Sequence, residues 1–236
     1  MSGGKKGTKG TSGRGERNLK VKVKTAKGRR TSSTRWLERQ LNDPYVKRAR
    51  AEGYRSRAAF KLIEIDERYP ILKRGQTVID LGCAPGGWCQ VAQKAVGPEG
   101  RVIGIDIQEV EAMEGVDLLH MDFMEDEAPE KLKELAGGPV DLVISDMAAF
   151  ATGHKATDHL RIMSLCETAL YFAREVLAPG GHFLCKVLQG GTERDLLETM
   201  KRDFAQVRHV KPDASRADSA EMYVLATGFR GGADGG

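Results

Sequence analysis

The sequence predicts an α/β fold built on a mainly parallel sheet, and three observations carry that reading. Short apolar runs alternate with segments of helical period along most of the chain. One of those runs leads directly into a glycine-rich loop and a helix, in "VIDLGCAPGGW". The 236 residues suffice for one large core, while no run of 18 or more apolar residues is present to span a membrane.

Taken in order, residues 1–35 hold too few apolar side chains to fold alone and read as a disordered basic arm. Residues 36–230 are expected to form the folded domain, and residues 231–236 a flexible tail. "DPYVKRARAEGYRSRAAFKLIEIDERY" predicts two helices broken near Gly53, with Ser56 capping the second. In that second helix Ala59, Phe60, Leu62 and Ile63 share one arc, and Arg57, Lys61, Glu64 and Arg68 the other. Strands are predicted at 76–81, 101–107, 117–122, 140–146, 181–188, 206–212 and 221–229. A long helix, "HLRIMSLCETALYFAREVL", is expected to stop at Pro179-Gly180-Gly181.

The apolar fraction of 40% and charged fraction of 30% are ordinary for a soluble globular protein. The net charge of +4 hides a segregation: residues 1–61 hold 19 Lys and Arg against 4 Asp and Glu, a balance of +15 that leaves −11 on the remainder. A basic arm on an acidic body points to nucleic acid, through phosphate contacts and counterion release. The basic start has no apolar core of a secretory signal, and its glycines and lack of an amphipathic face argue against a mitochondrial presequence. Cys83, Cys89, Cys166 and Cys185 form no CxxC pair and no Cys/His cluster, so they read as buried thiols in a reducing cytosol. His120, His154, His159, His182 and His209 are scattered, and no metal site is expected.

In a parallel sheet, ligands bind at the carboxyl ends of the strands, which is where "DLGCAPGGW" falls. Its glycines do not fit the G-x-G-x-x-G dinucleotide fingerprint, and Pro85 removes an amide that a phosphate nest would use. Gly82, Gly86 and Gly87 still let backbone approach a ligand closely, and Asp80 is placed to meet a cation. Asp106, at the end of the next strand, is placed to accept from ribose hydroxyls, and Asp122, at the end of the third, to reach an adenine edge. A glycine loop with serial strand-end acids suits a cationic adenosine ligand, S-adenosylmethionine. Plainer alternatives stand beside each residue: Asp122 as a helix cap, Trp88 as packing, Lys61 paired with Glu64 on a solvated helix face. Lys186 has none as simple, since it ends an otherwise apolar strand beside the expected site.

"WLERQLNDPYVKRARAEGYRSRAAFKLIEID", "VIDLGCAPGGW", "DLVISDMA", "GHFLCKVLQGG" and "SRADSAEMYVLATGF" together resemble the FtsJ/RrmJ family of ribose 2′-O-methyltransferases, most closely its bacterial members acting on 23S ribosomal RNA. The resemblance spans residues 36–230. It implies a Rossmann-like S-adenosylmethionine-dependent methyltransferase fold: a seven-stranded, mostly parallel sheet with one antiparallel strand and helices on both faces. It also implies a catalytic tetrad at Lys61, Asp146, Lys186 and Glu221. Cofactor contacts carry over to Gly86, Trp88, Asp106, Asp122 and Asp146, beside the loop residues Asp80, Gly82, Pro85 and Gly87. Where the family has Pro-Asn after "SDMA", this chain has Ala149-Phe150.

The implied chemistry is an in-line transfer of a methyl group from a sulfonium to a ribose hydroxyl, in which alignment supplies much of the acceleration. Lys186 is expected to take the hydroxyl proton, Lys61 to hold the acceptor oxygen, Asp146 to orient Lys186 and the methyl group, and Glu221 to orient the lysines or the ribose. The chain lacks the Asn/Asp-Pro-Pro-aromatic motif of base-amine methylation, and no cysteine is set to attack a pyrimidine. Lys47, Arg48, Arg50, Arg55 and Arg57 are expected to bind RNA phosphates beside Lys61. Expected partners are therefore 23S rRNA within the large ribosomal subunit and no membrane, for a cytoplasmic monomer. Alternatives are the same chemistry on another RNA, such as a tRNA anticodon loop, a non-catalytic ribosome assembly factor, and, more distantly, a nicotinamide oxidoreductase.

Overall fold

A computed structural model describes residues 38, 40–149, 152–190 and 194–231. The basic arm, most of the C-terminal tail and Phe150 lie outside the described residues. The chain divides into two compact units, Met1–Pro44 and Tyr45–Gly236. In the first, the Asn42 side-chain amide donates to the Glu38 carbonyl at 2.6 Å within a helical segment.

Thirteen elements follow among the described residues. They are α1 (Pro44–Ala51), α2 (Ala59–Arg68), β1 (Thr77–Leu81), α3 (Gly87–Val96), β2 (Arg101–Asp106), β3 (Val116–His120), α4 (Ala128–Ala136), β4 (Val140–Ser145), α5 (Lys155–Val176), β5 (Leu177–Leu188), α6 (Arg194–Asp203), β6 (Phe204–Val210) and β7 (Glu221–Phe229). One seven-stranded sheet runs in the order β3-β2-β1-β4-β5-β7-β6. Only β7 runs against its neighbours β5 and β6. The expected α/β architecture with one antiparallel strand is present.

Alternation along the strands assigns each layer. Ile79, Leu81, Ile103 and Ile105 pack with Leu132 of α4 and Met163, Cys166 and Leu170 of α5. Val78, Val102, Leu142 and Ile144 pack instead with Leu62 and Ile65 of α2 and Val91 and Ala92 of α3. Both faces are therefore covered, which is why the central strands read as apolar runs without polar alternation. Each such Leu or Ile contributes roughly 1.5–3 kcal/mol by leaving water.

Helix ends follow local chemistry. α4 starts with Pro129 in its first turn and ends at Gly137, whose φ of +65° closes the helix. α1 and α2 are separated at Gly53, as expected. Ser56 does not cap α2: the N-cap position is Ala58, without a side-chain bond. The entry instead tightens through i→i+3 bonds from Ala59, Phe60 and Lys61 to Ser56, Arg57 and Ala58 carbonyls. The Ser56 hydroxyl turns toward α3, 2.5 Å from where a Cβ on Gly87 would stand.

Pro179-Gly180-Gly181 also differs from expectation. The segment does not end α5, which stops at Val176; it lies within β5, where the pairing with β4 jumps from Val140–Leu177 to Leu142–His182. Three extra residues on β5 make a bulge, a place where proline and a glycine at φ +86° are tolerated. β3 ends at His120, so Asp122 sits in the following turn and not on the strand.

Gly104 tests the packing between the sheet and the glycine-rich loop. A Cβ there would stand 2.8 Å from the Cys83 sulfur and 2.9 Å from that of Cys89. Gly104→Ala is expected to destabilise the protein by about 1–3 kcal/mol, read as a lower urea midpoint with an unchanged slope.

Candidate active site

Strand order reverses between β1 and β4, which are parallel neighbours with connections leaving in opposite directions, so their carboxyl ends open a crevice. Asp146 follows the last residue of β4, Ser145, and stands over that crevice. Lys186 lies near the end of β5, directly across from Tyr223 of β7. Glu221, two residues before Tyr223, shares its face of the sheet. Lys61 arrives from α2, the helix that covers this face.

Four side chains meet there. Lys186 Nζ donates to the Asp146 carbonyl at 2.5 Å and to Asp146 Oδ1 at 3.1 Å. Lys61 Nζ is 2.7 Å from Glu221 Oε1 and 3.5 Å from Asp146 Oδ2. Both lysines are nearly buried, at 7% and 8% exposure. Two ammonium groups thus balance two carboxylates in a largely dry setting, where removing one partner of such a pair costs about 3–5 kcal/mol. The alternative of Lys61 paired with Glu64 is not what forms. Glu64 accepts from the Tyr45 hydroxyl at 2.8 Å and from the Ala214 amide at 2.7 Å.

Two further residues complete this array and were not singled out from the sequence. Tyr223, fully buried, donates its hydroxyl to Asp146 Oδ1 at 2.8 Å, with the Lys61 ammonium 5.7 Å from its ring centre. Ser215 donates to Glu221 Oε1 at 2.9 Å. Tyr223 lay within reach of sequence reasoning, since period two places it beside Glu221. Ser215 depends on a loop docking that no local pattern announces. Burial works to raise the Asp146 carboxyl, but Lys186, Lys61 and the Tyr223 hydroxyl outweigh it and hold the pKa below the usual carboxylate range. Burial, with the charges of Asp146 and Glu221, lifts the Tyr223 phenol well above 10, so it remains a donor.

Beside this array lies a cavity of about 700 Å³, lined among others by Gly82, Asp106, Asp122, Asp146, Met147 and Arg161. Asp146 belongs to both. Gly82 is required by its φ of +77° and because a Cβ would come within 2.9 Å of the Met147 Cα. Asp106 accepts from the Ala84 and Gln108 amides, each at 2.8 Å, which fixes both flanking loops around it. Asp122 Oδ1 accepts from the Met124 amide at 2.9 Å, so it shapes a turn as well as lining the cavity.

Asp80 lies under the loop, fully buried, with Oδ2 accepting the Cys89 thiol at 3.2 Å and Oδ1 without a hydrogen-bond partner. Burial, reinforced by Asp146 and Asp106 and opposed by the Cys89 bond, pushes its carboxyl up to about 7. Pro85, Gly86, Gly87 and Trp88 are not among the residues lining the cavity. The Trp88 indole, 3% exposed, donates to the Ala58 carbonyl at 2.7 Å and packs on Tyr223.

The basic cluster is corrected in part. Arg57 donates to the Ala214 carbonyl, Arg48 pairs with Glu52 at 2.6 Å, and Arg55 is bonded to three carbonyls. The Arg55 and Arg57 bonds hold the fold, leaving Lys47, Arg48 and Arg50 as the exposed members, Arg48 in a surface pair with Glu52. All four cysteines are free and buried. Among the described residues no cluster of His, Cys, Asp or Glu gathers in the manner of a metal site.

This sheet order is Rossmann-like, with acids at or just beyond the ends of β2, β3 and β4 lining the crevice. The profile of FtsJ-like methyltransferases matches residues 54–229, and the chain belongs to that family. It is 64% identical over 221 residues to a Xanthobacter autotrophicus protein named ribosomal RNA large subunit methyltransferase E, covering 92% of this chain and 87% of that one. A Parvibaculum lavamentivorans protein of the same name is 61% identical over 240 residues, covering 98% and 94%. A crystal structure titled as a ribosomal RNA methyltransferase from Plasmodium falciparum superposes with a TM-score of 0.68 at 31% identity, over 76% of this chain and all of that one.

Tyr223 offers a test of the array. Tyr223→Phe removes one of the groups that depress the Asp146 pKa. A carboxyl with a depressed folded pKa stabilises the fold above its unfolded value, near 3.9, and loses that contribution as pH falls through the folded value. The variant is therefore expected to cost about 1 kcal/mol at pH 7 and less at about pH 3, compared by urea unfolding at both.

Proposed function

We propose that this methyltransferase transfers a methyl group from S-adenosylmethionine to the 2′-hydroxyl of a uridine ribose in 23S rRNA of the large ribosomal subunit. The observation that carries this reading is the sharing of Asp146 between the cavity and the pair Lys61–Lys186. A methyl donor in the cavity and a hydroxyl at the lysines then meet at one carboxylate. The names of the relatives support the ribosomal substrate, and nothing favours a tRNA target or a non-catalytic assembly factor. A ribosomal substrate and four free cysteines support a cytoplasmic location.

The residues present fit the cofactor. Three carboxylates on the cavity wall, Asp106, Asp122 and Asp146, suit a cation, and Gly82 lets backbone come close. Asp106 retains lone pairs for ribose hydroxyls after accepting two amides. Asp122 also lines the wall. When bound, S-adenosylmethionine supplies an electrophilic methyl on a sulfonium.

The chain's own groups handle the proton. In its neutral form Lys186 retains two N–H groups, enough to keep both bonds to Asp146, and presents its lone pair to the acceptor hydroxyl. It would take the 2′-hydroxyl proton and leave the ribose oxygen nucleophilic. Lys61, held by Glu221 and Asp146, donates to the same oxygen and aligns it. Glu221 is in turn fixed by Ser215. Exposed Lys47 and Arg50 and the arm of residues 1–35 are proposed to bind RNA phosphates.

Purified protein with methyl-labelled S-adenosylmethionine is expected to label 23S rRNA in undermethylated large subunits, at one alkali-resistant linkage, and neither small subunits nor tRNA. Lys186→Ala and Lys186→Arg should each lower the rate at least a hundredfold, since general-base assistance contributes about 10²–10⁴ and arginine stays protonated. Full activity in Lys186→Arg would remove Lys186 as the base, and label in tRNA would replace the substrate.

A further inference from the structure

Arg55 lies outside the array and does not line the cavity, yet its guanidinium joins the two loops that flank it. Nη1 donates to the Glu111 carbonyl at 2.6 Å and to the Pro85 carbonyl at 3.4 Å, and Nη2 donates to the Ala112 carbonyl at 2.9 Å. One fork therefore ties the "CAPGG" loop after β1 to the segment after β2. That segment begins with Ile107 and Gln108, both on the cavity wall, while Glu111 and Ala112 line the neighbouring hollow. The carboxylate of Asp106 bonds the same two loops from inside, through Ala84 and Gln108. Arg55 closes the outer side of that junction.

Its own position is fixed. The Arg55 amide donates to Gln90 Oε1 at 2.8 Å, and Gln90 Nε2 donates back to the Gly53 carbonyl at 3.0 Å. Gly86 leaves room for the side chain: a Cβ there would stand 3.1 Å from Arg55 Nη1 and 2.8 Å from Met113 Cε. The Glu111 carboxylate, 4.0 Å away and 91% exposed, adds little, so the bonds that matter are to carbonyls. Three carbonyls leave most of the guanidinium donors engaged and poorly placed for an RNA phosphate.

We propose that Arg55 is a positioning residue for the methyl donor, holding the loop 82–88 and the segment 107–113 at the separation that the adenosine moiety requires. This rests on the reading of the cavity as the cofactor site. Loss of the fork frees both loops, and ordering them again is charged against cofactor binding. Lysine, a point charge with no fork, cannot bridge three carbonyls. Arg55 thereby acts on cofactor affinity and leaves the Lys61–Asp146–Lys186 geometry intact.

Calorimetric titration of the full chain with S-adenosylhomocysteine, beside steady-state methylation of large subunits, tests this. Arg55→Met is expected to weaken S-adenosylhomocysteine binding and raise the KM for the methyl donor about tenfold, with kcat within about twofold of wild type. Arg55→Lys should fall between them and decides the matter should Arg55→Met fail to fold. The salt dependence of RNA binding should not change. Unaltered S-adenosylhomocysteine affinity in either folded variant overturns the proposal, as does a salt slope for RNA binding reduced by about one, which is the mark of a lost phosphate contact. Failure of the wild-type protein to bind S-adenosylhomocysteine would instead overturn the cofactor reading beneath it.

Discussion

The Asp146 carboxylate is the constraint on which the site depends. It follows β4 at the strand-order reversal, lines the cavity, and takes bonds from Lys186, Lys61 and Tyr223. A buried carboxylate with fewer partners would protonate, and the lysines would lose their common reference. With three it stays ionised and fixes two amines that come from different layers, one on a helix and one on a strand. The sheet supplies the precision, because Lys186, Tyr223 and Glu221 stand on adjacent antiparallel strands in fixed register.

The remaining architecture serves to bring α2 down onto that sheet. Leu62 and Ile65 bury one side of α2 among Val78, Leu142 and Ile144, while Phe60 packs under Tyr45 and Tyr54. Arg57 and Glu64 grip the carbonyl and amide of Ala214, fixing the loop that carries Ser215 to the helix that carries Lys61. The connector before α2 is stitched to α3 by Gln90 and Trp88. The same helix–connector unit thus meets the array at one end and the glycine-rich loop at the other. Trp88 and Arg55 do their work by holding layers together.

Much of this was legible in the chain, and the exceptions share a cause. Apolar runs bounded by turn residues marked the strands, and β7 was expected over its observed 221–229. Pro179-Gly180-Gly181 was expected to separate helix from strand, but a bulge accommodates all three, and only pairing with β4 reveals it. Ser56 looked like a cap from its position alone, whereas its hydroxyl packs into the space that Gly87 of α3 leaves by lacking a Cβ. Lys61 was ambiguous by helical spacing, since Glu64 stood within reach; the family resemblance singled it out, and the fold shows why Glu64 is otherwise engaged. Arg55 and Arg57 read as phosphate contacts by charge, yet both bind carbonyls more than 25 residues away in sequence. Local rules placed what local forces decide, and apart from Tyr223 the misses depend on long-range docking.

A crystal structure of the protein with S-adenosylhomocysteine is the most direct test that cavity and array form one reaction centre. The adenosine is predicted to lie along Asp106 and Asp122, with the sulfur toward Asp146 on the side facing Lys186. A ligand seated instead in the neighbouring hollow lined by Glu109, Met113 and Leu118, or with its sulfur turned from Asp146, would contradict it.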